Sequence, residues 1–330
     1  MIHQNPRLRL QFSHAPPNCQ VLEIQELRTD GAQLLNNDDM VTPPLLEGLL
    51  ESFGDTIVEL DLTFIDILLL PTSTIQTIRR IKNLRTVRLS YERREEETSC
   101  DCRHDPAFFC SLLLATQGLK ELVIGSFSSD HFPKILVSHL GRFQLPNIRH
   151  LVAEDEDVIE LVFSLAVALK STLTMASKID LIDNDEEYVP LMFGILQDKL
   201  QGLHIYNPDK FAGIPNLNFT SRRLLRIDDC MHDPDLDLSK LDMFTYAPIE
   251  ILVLSGSDTH KSCSTFVLYQ VTRLRSLRKL VFYGVDLTFS APENYLKACR
   301  DHQVECFNRY KPSLEELMRS GPAGTTGNTT

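Results

Sequence analysis

The chain has 330 residues, of which 43% are hydrophobic and 24% are charged, a composition typical of globular proteins with a large core. Its 45 acidic and 33 basic residues give a formal charge of −12, which disfavours binding to nucleic-acid phosphates. No apolar run reaches the roughly 20 residues that a membrane span needs, and the first residues carry no signal-peptide core. We therefore predict a cytoplasmic or nuclear location, with the eight cysteines reduced.

A short apolar pattern recurs along the chain. Apolar residues stand at positions 1, 4 and 6 of a window in seven clear copies, which begin at Ile57, Leu84, Leu119, Ile148, Leu200, Ile249 and Leu277. Weaker copies occupy residues 19–24, 176–181 and 222–227, and successive copies begin 22 to 38 residues apart. Because alternate residues of a strand share a face, positions 4 and 6 predict a buried face and positions 3, 5 and 7 the opposite face.

The segments between the copies have the apolar spacing of helices. Several of them open with Pro, Ser, Thr or Asp, as helices often do. They span residues 43–53, 74–81, 106–116, 157–169, 188–196, 264–274 and 292–299. Strand and helix thus alternate nine or ten times. This alternation predicts an α/β solenoid, with a curved parallel sheet on its concave face and helices on its convex face.

The repeated pattern resembles the leucine-rich repeat superfamily, whose period is roughly 20–29 residues. The resemblance covers residues 19–310 and is most like divergent F-box leucine-rich repeat proteins, although no F-box segment is recognisable. It implies a horseshoe-shaped, non-enzymatic substrate receptor that joins a ubiquitin-ligase scaffold. The alternative is a stand-alone scaffold or regulator unrelated to ubiquitin. We expect a lead-in or degenerate capping repeat at residues 1–18, and a capping helix with a flexible tail at residues 311–330.

No motif of a known catalytic class is found, so we expect protein binding rather than catalysis. The loop CDCRHDPAFFC at residues 100–110 offers Cys100, Cys102, His104 and Cys110 as zinc ligands. Its Cys-x-Cys spacing is tighter than that of common zinc sites, and no second pair of ligands follows. Incidental cysteines in a long loop are the favoured interpretation, and no metal or cofactor is predicted.

Three acidic segments follow strands of different repeats, at residues 154–160, 180–187 and 228–237. Equivalent loops of stacked repeats lie side by side, so these segments predict one acidic rim. Such a rim would attract a basic protein and speed its association. The alternative is a solvated surface that keeps the chain in solution.

Positions 3, 5 and 7 of the repeats predict a partner-binding surface of mixed charge. Its members are Glu59, Asp61, Glu121, His150, Glu154, Asp180, His204, Tyr206, Arg226, Asp228 and Tyr283. The aromatic members are of the kind found at interface hot spots. The expected partner is a protein with a basic or mixed-charge surface, rather than a nucleic acid or a membrane.

Overall fold

The computed structural model describes residues 20–27, 41–65, 69–91, 106–125, 140, 145–154, 159–179, 188–206, 219–228, 247–255, 274–283, 293–309 and 317–318. The chain divides into two compact units, Met1–Leu173 (unit 1) and Thr174–Thr330 (unit 2). Each unit is α/β with a parallel sheet whose strands follow chain order, so the coarse fold class is confirmed. The predicted boundaries at residues 18 and 310 lie outside the described residues.

In the described part of unit 1, strands and helices alternate as predicted. The strands are β1 (Val21–Leu27), β2 (Glu59–Phe64), β3 (Thr86–Tyr91), β4 (Glu121–Gly125) and β5 (His150–Ala153). The helices are α1 (Pro43–Phe53), α2 (Thr72–Arg79), α3 (Pro106–Ala115) and α4 (Ile159–Ala168). Each strand pairs in parallel with the next strand along the chain. Parallel pairing requires a crossover, which the helices supply between most of the strands.

In unit 2, too, each described strand pairs in parallel with the next one along the chain. Its described strands are β6 (Met175–Ile179), β7 (Gly202–Tyr206), β8 (Leu224–Asp228), β9 (Ile251–Ser255), β10 (Lys279–Tyr283) and β11 (Glu305–Arg309). Its described helices are α5 (Tyr188–Leu196) and α6 (Glu293–Asp301). Strand β11 was missed by the pattern, because Cys306 and Asn308 pair with Leu280 and Phe282 and so stand where apolar residues were required.

The predicted helices are confirmed where the structure describes them. Helices α1 and α5 have the predicted bounds, and the others differ by one or two residues at their ends. Pro43 and Pro106 begin their helices, where the missing N–H would have no intrahelical partner anyway. The predicted helix over 264–274 lies outside the described residues, apart from Leu274.

The 1-4-6 pattern marks the buried side of the sheet, as predicted. Every residue at these positions in the seven clear copies is buried. Equivalent residues are register partners, as Leu60, Val87 and Leu122 illustrate at position 4. Burying one such aliphatic side chain contributes about 1.5–3 kcal/mol, so the repeated pattern carries much of the fold's stability.

The weak copy at 176–181 was placed wrongly by three residues. Ala176 pairs with Leu203 and therefore takes position 4 rather than position 1, which the buried Leu173 occupies. Ile179 then pairs with Ile205, one residue later than the pattern requires. The extra residue forms a bulge in which Lys178 has a φ of 55°.

The weak copy at 222–227 is placed correctly, but it carries Arg222 at position 1. This side chain is completely buried, and its guanidinium carbon lies 3.4 Å from the centroid of the Phe219 ring. Phe219 in turn packs edge-to-face on Phe193 of α5, with ring centroids 5.6 Å apart. Burial lowers the pKa of Arg222 well below its usual value. Packing on the aromatic ring thus accommodates an arginine at position 1, where the seven clear copies carry an aliphatic residue.

Candidate functional site

One face of the unit 1 sheet carries polar side chains in register, most of them at least partly exposed and one, His150, buried. At position 3, Glu59, Thr86, Glu121 and His150 stand side by side on β2 to β5. At position 5, Glu23, Asp61 and Arg88 do the same on β1 to β3. Glu154 follows β5. We call these residues, apart from Thr86, the unit 1 polar face.

Arg88 is the centre of the unit 1 polar face. Its Nε lies 3.2 Å from Oδ2 of Asp61, and its Nη1 donates a hydrogen bond to Oε2 of Glu154. Gly125 lies beside this contact, and a Cβ atom added there would stand 3.3 Å from Cβ of Glu154. The absence of a side chain at Gly125 therefore helps Glu154 to reach Arg88.

The carboxylates of the unit 1 polar face outnumber its cations. Burial raises the pKa of Asp61 to about 6, against the opposing effect of Arg88, and nearby Glu23, Glu59 and Glu154 add to the rise. Burial also raises the pKa of Glu59, against the effect of Arg88. Oδ1 of Asp61 is buried and has no hydrogen-bond partner among the described residues. The surface therefore holds uncompensated negative charge at its centre.

His150 forms a second pair on the unit 1 polar face. Its Nδ1 lies 2.5 Å from Oε2 of Glu121 on the adjacent strand, and the imidazole is almost completely buried. Glu121 remains about a third exposed. The structure thus brings together five of the predicted site residues, namely Glu59, Asp61, Glu121, His150 and Glu154.

In unit 2, four predicted residues form a separate and more deeply buried cluster. Oδ2 of Asp228 lies 2.8 Å from Nε2 of His204 and 2.6 Å from Nη2 of Arg226. The guanidinium carbon of Arg226 lies 3.8 Å from the ring centroid of Tyr283. The side chains of His204 and Asp228 are only 4% and 15% exposed, which limits how far a partner can reach them.

The charges of the unit 2 cluster are internally balanced. Burial acts to raise the pKa of Asp228, but hydrogen bonds from His204 and Arg226 outweigh it and lower the pKa to about 2. Burial lowers the pKa of His204, so a neutral imidazole with its proton on Nε2 suits the contact with Asp228. These observations favour a structural network within the sheet over a recognition surface.

A second part of the unit 2 sheet face is apolar and covered by the chain itself. Leu317 is buried in one cluster with Met175, Leu224, Ile251, Val253 and Val281, and Met318 packs against that cluster. The five other members lie on strands β6, β8, β9 and β10, and all five occupy position 3 or position 5. Leu317 and Met318, the two described residues of the segment in which a capping helix was expected, thus contact the face of the unit 2 sheet.

The other sequence predictions have mixed outcomes. Tyr206 lies on β7 beside Asp228 of β8, although its side chain is not described. Asp180, most of the acidic rim, and Cys100, Cys102 and His104 lie outside the described residues. Cys110 is buried in α3. No group of three or more potential metal ligands occurs in the described ranges, and none of the helices described there could span a membrane.

Position 5 of the copy LRTVRL assigns Arg88 to this face, but sequence reasoning did not predict its central role. It also missed the contact made by Leu317 and Met318. The partners of Arg88 lie 27 and 66 residues away in the chain, so no local pattern joins them. The sequence signal that could have revealed the contact of Leu317 is the pair of adjacent apolar residues, Leu317 and Met318, in the segment LEELM.

The sequence was also compared with known proteins. No model of a known protein family matches this chain, and no curated protein matches it.

Proposed function

We propose that the chain is a leucine-rich repeat solenoid that binds a protein partner through the unit 1 polar face, without catalysing a reaction. One observation carries the proposal: charged side chains that are at least partly exposed occupy equivalent positions of consecutive parallel strands, as Glu23, Asp61 and Arg88 do. Repeat arrays bind partners along such rows, because each repeat adds one position to a continuous surface.

The charge of this face indicates the chemistry of its partner. Five carboxylates surround Arg88 and His150, and burial with mutual repulsion raises the pKa of Glu59 and Asp61. A lysine or arginine side chain brought to this surface would relieve that repulsion. We therefore expect a protein partner with a basic or mixed-charge surface.

Two roles are compatible with this proposal. The first, suggested by the resemblance to F-box leucine-rich repeat proteins, is that of a ubiquitin-ligase substrate receptor, which we call the receptor form. A stand-alone scaffold or regulator is the second form. Both would use the same face and would act in the cytoplasm or nucleus. They differ in whether a ligase scaffold accompanies the chain.

Affinity capture from native lysate at low and high salt tests the proposal. The face variant Glu23→Lys/Glu59→Lys reverses two charges and leaves the partners of Arg88 in place. The control variant Glu51→Lys/Asp55→Lys makes the same change of net charge at two exposed residues of unit 1. We expect wild type and control to capture the same basic partner at low salt, and the face variant to capture about tenfold less.

Circular dichroism would verify that both variants are folded. Equal capture by the face variant and the control would contradict recognition through this surface. Salt-insensitive capture would contradict its electrostatic basis. Recovery of a ligase scaffold with the partner would favour the receptor form, and recovery of the partner alone would favour the stand-alone form.

A further inference from the structure

The apolar face of unit 2 is occupied by a segment that the sheet does not need for its hydrogen bonding. Strands β6 to β11 pair with one another, and Leu317 and Met318 contribute to none of these pairs. Their contribution to the face is through side chains, with Leu317 buried and Met318 half-buried. Removing the segment would therefore leave the strands paired and take two side chains away from the apolar cluster that holds Ile251, Val253 and Val281.

We propose that this apolar face is a docking surface for a partner's amphipathic segment in which adjacent leucine and methionine follow acidic residues. The chain's own segment, LEELMRS at residues 314–320, has this chemistry and places Leu317 and Met318 on the face. It acts as an internal ligand that a partner of the same kind replaces. The inference concerns unit 2 alone and does not depend on the unit 1 polar face.

The short connection to the sheet explains why the internal segment occupies the face. Leu317 follows Arg309, the last residue of β11, by eight residues (317 − 309). A short tether gives an effective concentration in the millimolar range, so a free segment of equal affinity at micromolar concentration would be excluded. An external segment would bind measurably only when the internal one is weakened.

The test uses the full chain and a synthetic peptide with the sequence of residues 311–320, KPSLEELMRS. Methyl resonances of Ile251, Val253 and Val281 report on the face by nuclear magnetic resonance. In the released variant Leu317→Asp/Met318→Asp, we expect the peptide to shift these resonances with an apparent Kd at least about tenfold lower than in wild type. A peptide carrying Leu317→Asp should have no such effect. The conservative variant Met318→Leu should behave as wild type.

Two results would overturn the proposal. One is a folded released variant whose face resonances do not respond to millimolar peptide. The other is an equal response in wild type and released variant. If the double variant does not fold, Met318→Asp takes its place because Met318 is only half-buried. Unfolding of that single variant would also overturn the proposal, since the segment would then be an integral part of the core. Glu23→Lys/Glu59→Lys should leave peptide binding unchanged, which separates this test from that of the proposed function.

Discussion

Each unit buries the side of its sheet that carries positions 1, 4 and 6, and the two units differ on the opposite side of the sheet. In unit 1, positions 3 and 5 of the central strands carry Glu59, Asp61 and Arg88, which are half-exposed. In unit 2, positions 3 and 5 of β9 and position 5 of β10 carry Ile251, Val253 and Val281, which are buried in one cluster with Leu317. A repeat needs only positions 1, 4 and 6 for its core, so the other face can be adapted to solvent, to a partner or to the chain itself.

The largest expected loss of stability comes from substitutions on the buried side of the sheet in either unit. Leu122 in unit 1 and Leu252 in unit 2 both occupy position 4 and are buried. Leu122→Asp and Leu252→Asp should each cost more than about 4 kcal/mol in the free energy of unfolding, because a cavity and an unpaired charge add together. Hydrogen exchange measured by mass spectrometry should show loss of protection in the strands beside each substitution.

Lys82→Asp and Lys199→Asp are the controls, since both lysines are exposed and one lies in each unit. They should change the stability by less than about 0.5 kcal/mol. A native melting curve for either leucine variant would show that position 4 is not on the buried side in that unit.

The second prediction separates the two units directly at position 3. Ile251→Lys in unit 2 should cost about 2–4 kcal/mol, because it removes a buried aliphatic side chain and places a charge beneath Leu317. Thr86→Lys in unit 1 should be nearly neutral or slightly stabilising, because Thr86 is half-exposed and pairs in register with Glu59 and Glu121. Urea unfolding followed by circular dichroism measures both. Equal losses in the free energy of unfolding for the two variants would contradict the proposed difference between the polar face of unit 1 and the apolar face of unit 2.

The smallest effects concern pH and have opposite signs in the two units. The pKa of Asp61 is raised from 3.8 to about 6 in the folded state, so its ionised form destabilises unit 1 near neutral pH. Asp61→Asn should therefore raise stability near neutral pH by about 1 kcal/mol, after allowance for solvent screening. This gain should fade as the pH falls from about 6 to below 3.8, where Asp61 is protonated in both states.

The same pH experiment on Asp228 should give an effect on stability of the opposite sign. Its pKa is lowered from 3.8 to about 2, so it stabilises unit 2 above 3.8, and this contribution is lost as the pH falls through 2. Asp228→Asn should lower stability near neutral pH by about 2 kcal/mol, an effect that thermal melts should show shrinking in acid. Asp198→Asn, at an exposed carboxyl, is the control. Effects of the same sign at Asp61 and Asp228 would contradict the contrast between an unbalanced cluster and a balanced one.

The regular parts of the fold could be predicted because their signals are local. The spacing in IVELDL and LRTVRL identified β2 and β3 with their buried sides, and PPLLEGLLESF identified α1. The failures occurred where local spacing breaks. A bulge at Lys178 displaced the register of β6, and β11 lacked the apolar residues that the pattern required.

The candidate site could be predicted only in part, for the same reason. Alternation on parallel strands correctly placed Glu59, Asp61 and Glu121 on one face. It could not show that Arg88 joins Asp61 to Glu154, because that choice depends on rotamers and on the space left beside Gly125. Nor could it distinguish Arg226 and Asp228, which balance each other's charge, from the unbalanced carboxylates of unit 1.

By itself, the sequence determined which side chains are buried at positions 1, 4 and 6 and where most helices lie, because periodicity acts between near neighbours in the chain. Only the tertiary structure decided what covers the opposite face of each sheet. It placed Arg222 on the ring of Phe219, and it brought Leu317 onto Val253 and Val281 from far along the chain. Those contacts depend on the three-dimensional packing of distant segments, for which no local pattern in the sequence is sufficient.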